Sequence, residues 1–216
     1  HSVSTGALLG KSKAGQGVEV FTLSVCGDEL FMTGGKNHVK FWSLPNPKSP
    51  GGEFSSKCGI YSIAEIRSKT IVSSAFLGTD AVTGMSDGMI VLWKDRYTTK
   101  HCRAHYGPVT AMNSIDGDTG GIDTKEQGPR VVTAGDDGFV HTWDIQLHKM
   151  WTLDLNSTTP KSVNPQIQAV VVRENRLVLG TKASEIYEVS LLNNNDTYRI
   201  VQGHFSTREE VAGLAI

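Results

Sequence analysis

The pattern of apolar and polar positions changes period sharply between residues 131 and 145, VVTAGDDGFVHTWDI. Val131, Val132 and Thr133 form a β-branched run. Gly135, Asp136, Asp137 and Gly138 then form an acidic turn, and a second β-rich run ends in Trp143-Asp144. Asp-Gly between two such runs predicts a hairpin, because a primed turn needs positive φ. The pattern recurs in LFMTGGKNHVKFWSL (30–44) and DAVTGMSDGMIVLWKD (80–95). RLVLGTKASEIYEVSL (176–191) is a weaker copy, with Tyr187 read at the position of the tryptophan. The intervals Trp42–Trp93, Trp93–Trp143 and Trp143–Tyr187 are 51, 50 and 44 positions. A repeat of that length is enough for one four-stranded blade of a β-propeller.

Each hairpin follows a short apolar run: VEVFTLSV (18–25), TIVSSAFL (70–77), VTAMNSI (109–115) and IQAVVV (167–172). These are expected as innermost strands, with the hairpins supplying the second and third strands of each blade. The outer strand is expected in the more polar stretches that follow, where exposure weakens the patterning. The expected fold is all-β: a propeller of about four four-stranded blades, over 18–63, 70–103, 108–155 and 167–201. Residues 1–13 are expected to hold the outer strand of a preceding blade and 210–216 the inner strand of the next, so the ring is incomplete. Two stretches read as surface excursions, the Pro-rich LPNPKSPGG (44–52) and the Gly/Asp-rich segment 116–130.

Composition narrows the picture. The formal net charge of −1 over 216 residues gives no basic excess to argue for nucleic acid or an anionic membrane. No apolar run approaches the ~20 residues of a transmembrane helix. Cys26, Cys58 and Cys102 are scattered and odd in number, which fits a reducing compartment better than a disulfide framework.

The candidate chemistry reads mainly as architecture. His105, Thr133, Asp137 and Trp143 match the internal hydrogen-bond chain of a WD-repeat blade, in which the turn Asp holds the His, the His meets the hydroxyl, and the hydroxyl meets the indole. The second blade keeps Thr83, Asp87 and Trp93 without a His before its first strand. The first keeps Thr33 and Trp42, with Asn37 in place of the Asp. A Ser/Thr-His-Asp set of this kind lacks the exposed nucleophile that catalysis needs. Cys102-x-x-His105 is half a zinc ligand set with no second pair at suitable spacing, so no metal is expected. Gly34-Gly35-Lys36 lacks the spacing of a phosphate loop, and no cofactor is expected. The adjacent Asp136 and Asp137 do not form an opposed carboxylate pair. The surface remains. The turns and connecting loops gather on one face, with Lys36, His38, Tyr106, Asp136, Lys182, Phe205 and Arg208 as candidate partner-binding residues of that rim.

The runs FMTGGKNHVKFW (31–42), AFLGTDAVTGMSDGMIVLW (75–93), HYGPVTAM (105–112), RLVLGTKASEIYEV (176–189) and VQGHFSTREEVAGLAI (201–216) add a closer likeness. In order and spacing they resemble the echinoderm microtubule-associated-protein-like family, a WD-repeat family. Gly-Lys-Asn-His before the first Trp-bearing strand is especially similar. So are Leu-Gly-Thr in the fourth blade and that blade's missing Trp. The resemblance implies two joined propellers behind a hydrophobic motif and a coiled coil, with this chain in the later blades of the first propeller. It implies a cytoplasmic, cytoskeletal scaffold that binds tubulin or microtubules, completed by further blades of the same protein. The segments 44–52 and 116–130 depart from the family pattern. The expected function is a non-catalytic protein-interaction scaffold of that kind. The alternative is a general WD-repeat adaptor holding a non-cytoskeletal peptide or protein on the same face.

Overall fold

The computed structural model describes residues 6, 11–44, 54–62, 64–115, 130–157, 164–173, 176–191 and 199–203. They form four four-stranded antiparallel sheets, each in simple sequential order. Blade one holds β1 (Glu19–Cys26), β2 (Leu30–Lys36), β3 (His38–Ser43) and β4 (Ser55–Cys58). Blade two holds β5 (Ile71–Leu77), β6 (Asp80–Met85), β7 (Met89–Lys94) and β8 (Tyr97–Arg103). Blade three holds β9 (Ala111–Ser114), β10 (Val131–Ala134), β11 (Phe139–Trp143) and β12 (Lys149–Asp154). Blade four holds β13 (Ile167–Arg173), β14 (Arg176–Thr181), β15 (Glu185–Ser190) and β16 (Arg199–Gly203). A one-turn helix, α1 (Ala64–Arg67), interrupts the passage from blade one to blade two. Of the expected strands in 1–13 and 210–216 and the excursions at 44–52 and 116–130, only Gly6, 11–13, Leu44 and Arg130 lie within the described residues, and Gly6 and 11–13 are not in a strand.

The first strands β1, β5, β9 and β13 contact one another in that order around a common space. Hydroxyls tie them together. Thr22 and Ser24 meet the Ser74 hydroxyl at 2.7 and 2.6 Å, and Ser73 donates to the Val109 carbonyl at 2.5 Å. Thr110 donates to the Ile167 carbonyl. Bulges recur in three of the inner pairs, after Val20, Ile71 and Ile167, and add the extra twist that a blade needs.

The core lies between blades. Met32, Val39, Ile71, Phe76 and Trp93 fill the space between blades one and two. Val82, Ile90, Val109, Val131 and Trp143 fill that between two and three, and Val132, Val140, Leu153, Leu177 and Leu179 that between three and four. Blades two and three thus bury apolar residues against both neighbours, as expected for stacked repeats. Phe21, Leu23 and Val25 on β1 of blade one are 54, 61 and 61% exposed among the described residues.

The register corrects one reading. In each hairpin a residue with positive φ closes the turn: Asn37, Gly88, Gly138 and Ser184. Five residues on stand Trp42, Trp93, Trp143 and Val189. Leu177 pairs with Val189 as Val131 pairs with Trp143 and Ala81 with Trp93, so Val189 and not Tyr187 holds the tryptophan position. Tyr187 sits where His141 sits in blade three: it faces Leu179, as His141 faces Thr133.

Candidate interaction face

The third blade joins its polar residues in an unbroken chain. Trp143 Nε1 donates to Thr133 Oγ1 at 2.9 Å, and Thr133 Oγ1 lies 2.9 Å from His105 Nε2. His105 Nδ1 lies 3.0 Å from Asp137 Oδ1. The geometry assigns the protons. The Asp137 carboxylate only accepts, so Nδ1–H donates to it, and in the neutral ring Nε2 then accepts from the Thr133 hydroxyl, whose oxygen accepts from the indole N–H. Asp137 also accepts from Tyr106 N at 2.9 Å and Phe139 N at 3.1 Å. Burial pushes its carboxyl up, but the His105 bond and these backbone N–H groups outweigh that and hold it below the usual carboxylate range. Gly135 makes room for the pair, since a Cβ there would stand 2.5 Å from His105 Nδ1 and 2.6 Å from Asp137 Oδ1.

His141 packs beside this chain, its ring centroid 4.9 Å from that of His105. It meets Thr152 Oγ1 at 2.9 Å and the Ala104 backbone. Burial, helped by the nearby His105 and Lys149, lowers its pKa to about 4, so it sits neutral inside the blade.

The other blades solve the same problem with different residues. In blade one, Trp42 Nε1 donates to Thr33 Oγ1 at 2.8 Å, and Thr33 Oγ1 lies 2.7 Å from Nε2 of His38. His38 is 5% exposed, so it is a member of the internal network and not of the rim where the sequence reading placed it. The turn of blade one is one residue shorter, which leaves Asn37 exposed in the left-handed region and swings the next residue inward. In blade two, Trp93 donates to Thr83 at 2.9 Å, but Asp87 pairs with Lys69 at 3.2 Å in place of a histidine. In blade four, the Tyr187 hydroxyl donates to Glu185 Oε2 at 3.3 Å.

The turns and the loops between blades meet along one rim. His105 N donates to Gly88 O at 3.0 Å, Val109 N to Met85 O at 3.1 Å, Asp136 N to Pro108 O at 3.1 Å and Lys182 N to Gln166 O at 2.8 Å. On this rim Tyr106 is 90% exposed. Its backbone is pinned by Asp137, and Gly107 and Pro108 follow it. Lys36 and Lys182 are exposed, and Asp136 is half-buried. Phe205 and Arg208 lie outside the described residues.

Two chemical readings can be tested on geometry. Thr133 is fully buried with its hydroxyl committed on both sides, so the His105–Thr133–Asp137 set has no free nucleophile. Cys102 and His105 do not converge: the thiol lies 4.0 Å from Leu147 O while the imidazole holds Asp137 and Thr133. All three cysteines are free thiols. Among the described residues no helix is long and apolar enough to cross a membrane.

No family model matches the sequence. Echinoderm microtubule-associated protein-like 2 of Rattus norvegicus is 29% identical over 204 residues, covering 93% of this chain and 28% of that protein. The Mus musculus and Homo sapiens proteins of the same name are 29% and 28% identical over the same span. The chain therefore covers about 28% of the length of these relatives. Among solved structures, the computationally designed Ika8 protein matches with a TM-score of 0.66 and 22% identity, over 99% of this chain and 57% of that one. A chain of the mitotic checkpoint complex matches with a TM-score of 0.59 and 13% identity, over 86% of this chain and 54% of that one. These two likenesses carry the fold alone. The described residues form four four-stranded blades of a β-propeller, and the chain is similar over nearly its whole length to the echinoderm microtubule-associated-protein-like proteins.

Proposed function

We propose that the chain is part of a non-catalytic, protein-interaction scaffold that attaches to microtubules and acts in the cytoskeleton. One observation carries the reading. The polar residues that could do chemistry are turned inward and bonded to one another, while the rim presents Tyr106 on a pinned backbone. Aromatic side chains held this way make efficient interface anchors, because little freedom is lost on binding. The choice of tubulin as partner is supported by the relatives, which bear the name of microtubule-associated proteins. Lys36, Asp136 and Lys182 are proposed to flank the anchor along the same rim.

The test is co-sedimentation of the full-length protein with polymerised tubulin. Recovery in the pellet that saturates with tubulin concentration is the expected result. A protein that stays in the supernatant at every tubulin concentration overturns microtubule attachment.

A further inference from the structure

We propose that the cleft on the outer side of the blade-two rim is a receptor for a carboxylate-bearing peptide segment. It has a volume of about 440 Å³ and lies between α1 and the last two strands of blade two. Strand periodicity builds one wall. His101 and Arg103 are two apart on β8, so both side chains project from the same face, opposite Val91 and Met89 of β7. Lys69 enters from the loop after α1, and Ile66 and Met89 supply the apolar surface.

The lining holds two cations, Lys69 and Arg103, and one of them is unpaired with any acid among the described residues. The Asp87 carboxylate is already taken, by Lys69 Nζ at 3.2 Å and Met89 N at 3.3 Å. Arg103 has no acidic partner among the described residues. Its Nη1 instead donates to the backbone carbonyls of Asp87 at 2.9 Å and His105 at 3.5 Å. These bonds fix the guanidinium and leave its remaining donors to the cleft, a preorganised fork of the kind that holds carboxylates in two bonds. His101 is half-buried in the same wall, and its side chain has no hydrogen-bond partner among the described residues. Glu65, exposed on α1, is the one other acid of the lining. The cleft is roomier than a single carboxylate needs, and Ile66 and Met89 suit an apolar residue beside the acidic one.

This inference rests on the reading of the propeller as an interaction scaffold and names the chemistry of one partner segment. Its test uses the full-length protein and a labelled peptide, Glu-Glu-Leu-Glu-Glu, followed by fluorescence anisotropy. The Gln-Gln-Leu-Gln-Gln peptide is the neutral control. Binding of the acidic peptide is expected to weaken as salt is raised and to exceed that of the control by about tenfold or more. Arg103→Gln is expected to remove most of that difference. Because this change also breaks two bonds to the backbone, His101→Glu serves as an independent variant that leaves those bonds in place. It is expected to weaken binding to the same degree at an unchanged melting temperature. Lys57→Gln, exposed on β4 of blade one and outside the cleft, is expected to bind as wild type. Equal binding of the two peptides, or full binding by both cleft variants, overturns the proposal. Peptide binding without tubulin co-sedimentation would remove microtubule attachment and leave the cleft standing. The reverse outcome would remove the cleft alone.

Discussion

Thr133→Val removes one hydroxyl from the third blade at nearly constant volume, and its effect follows from the bonds that hydroxyl makes. Trp143 Nε1 and His105 Nε2 both end on Thr133 Oγ1, each at 2.9 Å. The two partners are 3% and 1% exposed, so no water replaces what they lose. The imidazole cannot escape by changing tautomer, because Nδ1 must keep its proton for Asp137. A buried polar group left unsatisfied costs about 1–3 kcal/mol, and valine recovers part of that through its more apolar surface. The net destabilisation expected is about 2–4 kcal/mol. Blade two supplies the internal comparison. There the Trp93 indole donates to Thr83 at 2.9 Å, but no histidine joins, since Asp87 pairs with Lys69. Thr83→Val should cost about 1–2 kcal/mol for one orphaned donor. Urea unfolding followed by far-ultraviolet circular dichroism measures both. If Thr133→Val costs no more than Thr83→Val, the chain of hydrogen bonds is not what holds blade three, and the argument from the network fails.

Other outcomes follow from the same geometry. Gly135→Ala pushes a methyl group into the His105–Asp137 contact and is expected to destabilise by about 1–3 kcal/mol, read as a lowered urea midpoint. Acid should weaken the fold earlier than carboxylate titration alone would. His141 has its pKa lowered from 6.5 to about 4, so the folded state binds fewer protons than the unfolded state between those values. Its stabilisation is complete above pH 6.5 and declines as pH falls toward 4, by about 2 kcal/mol at pH 5. His38, lowered by burial and by Lys40, acts in the same direction. Asp137, held below its usual range, adds a further loss only below about pH 4. Unfolding free energies at pH 7.5 and 5.0 test this, and a flat profile would contradict it. His141→Gln should flatten the slope.

The hairpins were legible because their signals are local. β-branched runs, glycine-bearing turns and a closing tryptophan lie within fifteen residues of one another in 131–145, and the physics of the turn decides the pairing. The His105–Thr133–Asp137–Trp143 set was legible for a related reason, since its spacing repeats a known blade. Where residues were misplaced, the turn had changed length or composition. Blade one drops one residue from its turn, and that brings His38 inward against Thr33. The signal was present: a histidine directly after an Asn in a two-residue loop begins a strand and faces the partner strand. In blade four Ser184 takes the left-handed position that Gly88 and Gly138 hold elsewhere. Counting five residues from that position finds Val189. Lys69 was not legible at all, because its pairing with Asp87 depends on α1 and on how the blade-two loops fold over each other. The cleft lined by His101 and Arg103 was missed for the same reason, since one wall comes from the passage between blades one and two and the other from the strands of blade two.

The central claim is that the interior polar set is architecture and that partners are met on the rim. It is tested most directly by Tyr106→Ala in the full-length protein, measured for melting temperature and for co-sedimentation with polymerised tubulin. Tyr106 is 90% exposed and its backbone N–H bond to Asp137 survives the change, so the melting temperature is expected to stay within about 1 °C of wild type. Co-sedimentation is expected to fall by about tenfold, the loss of one aromatic anchor. Undiminished co-sedimentation at an unchanged melting temperature would contradict the claim.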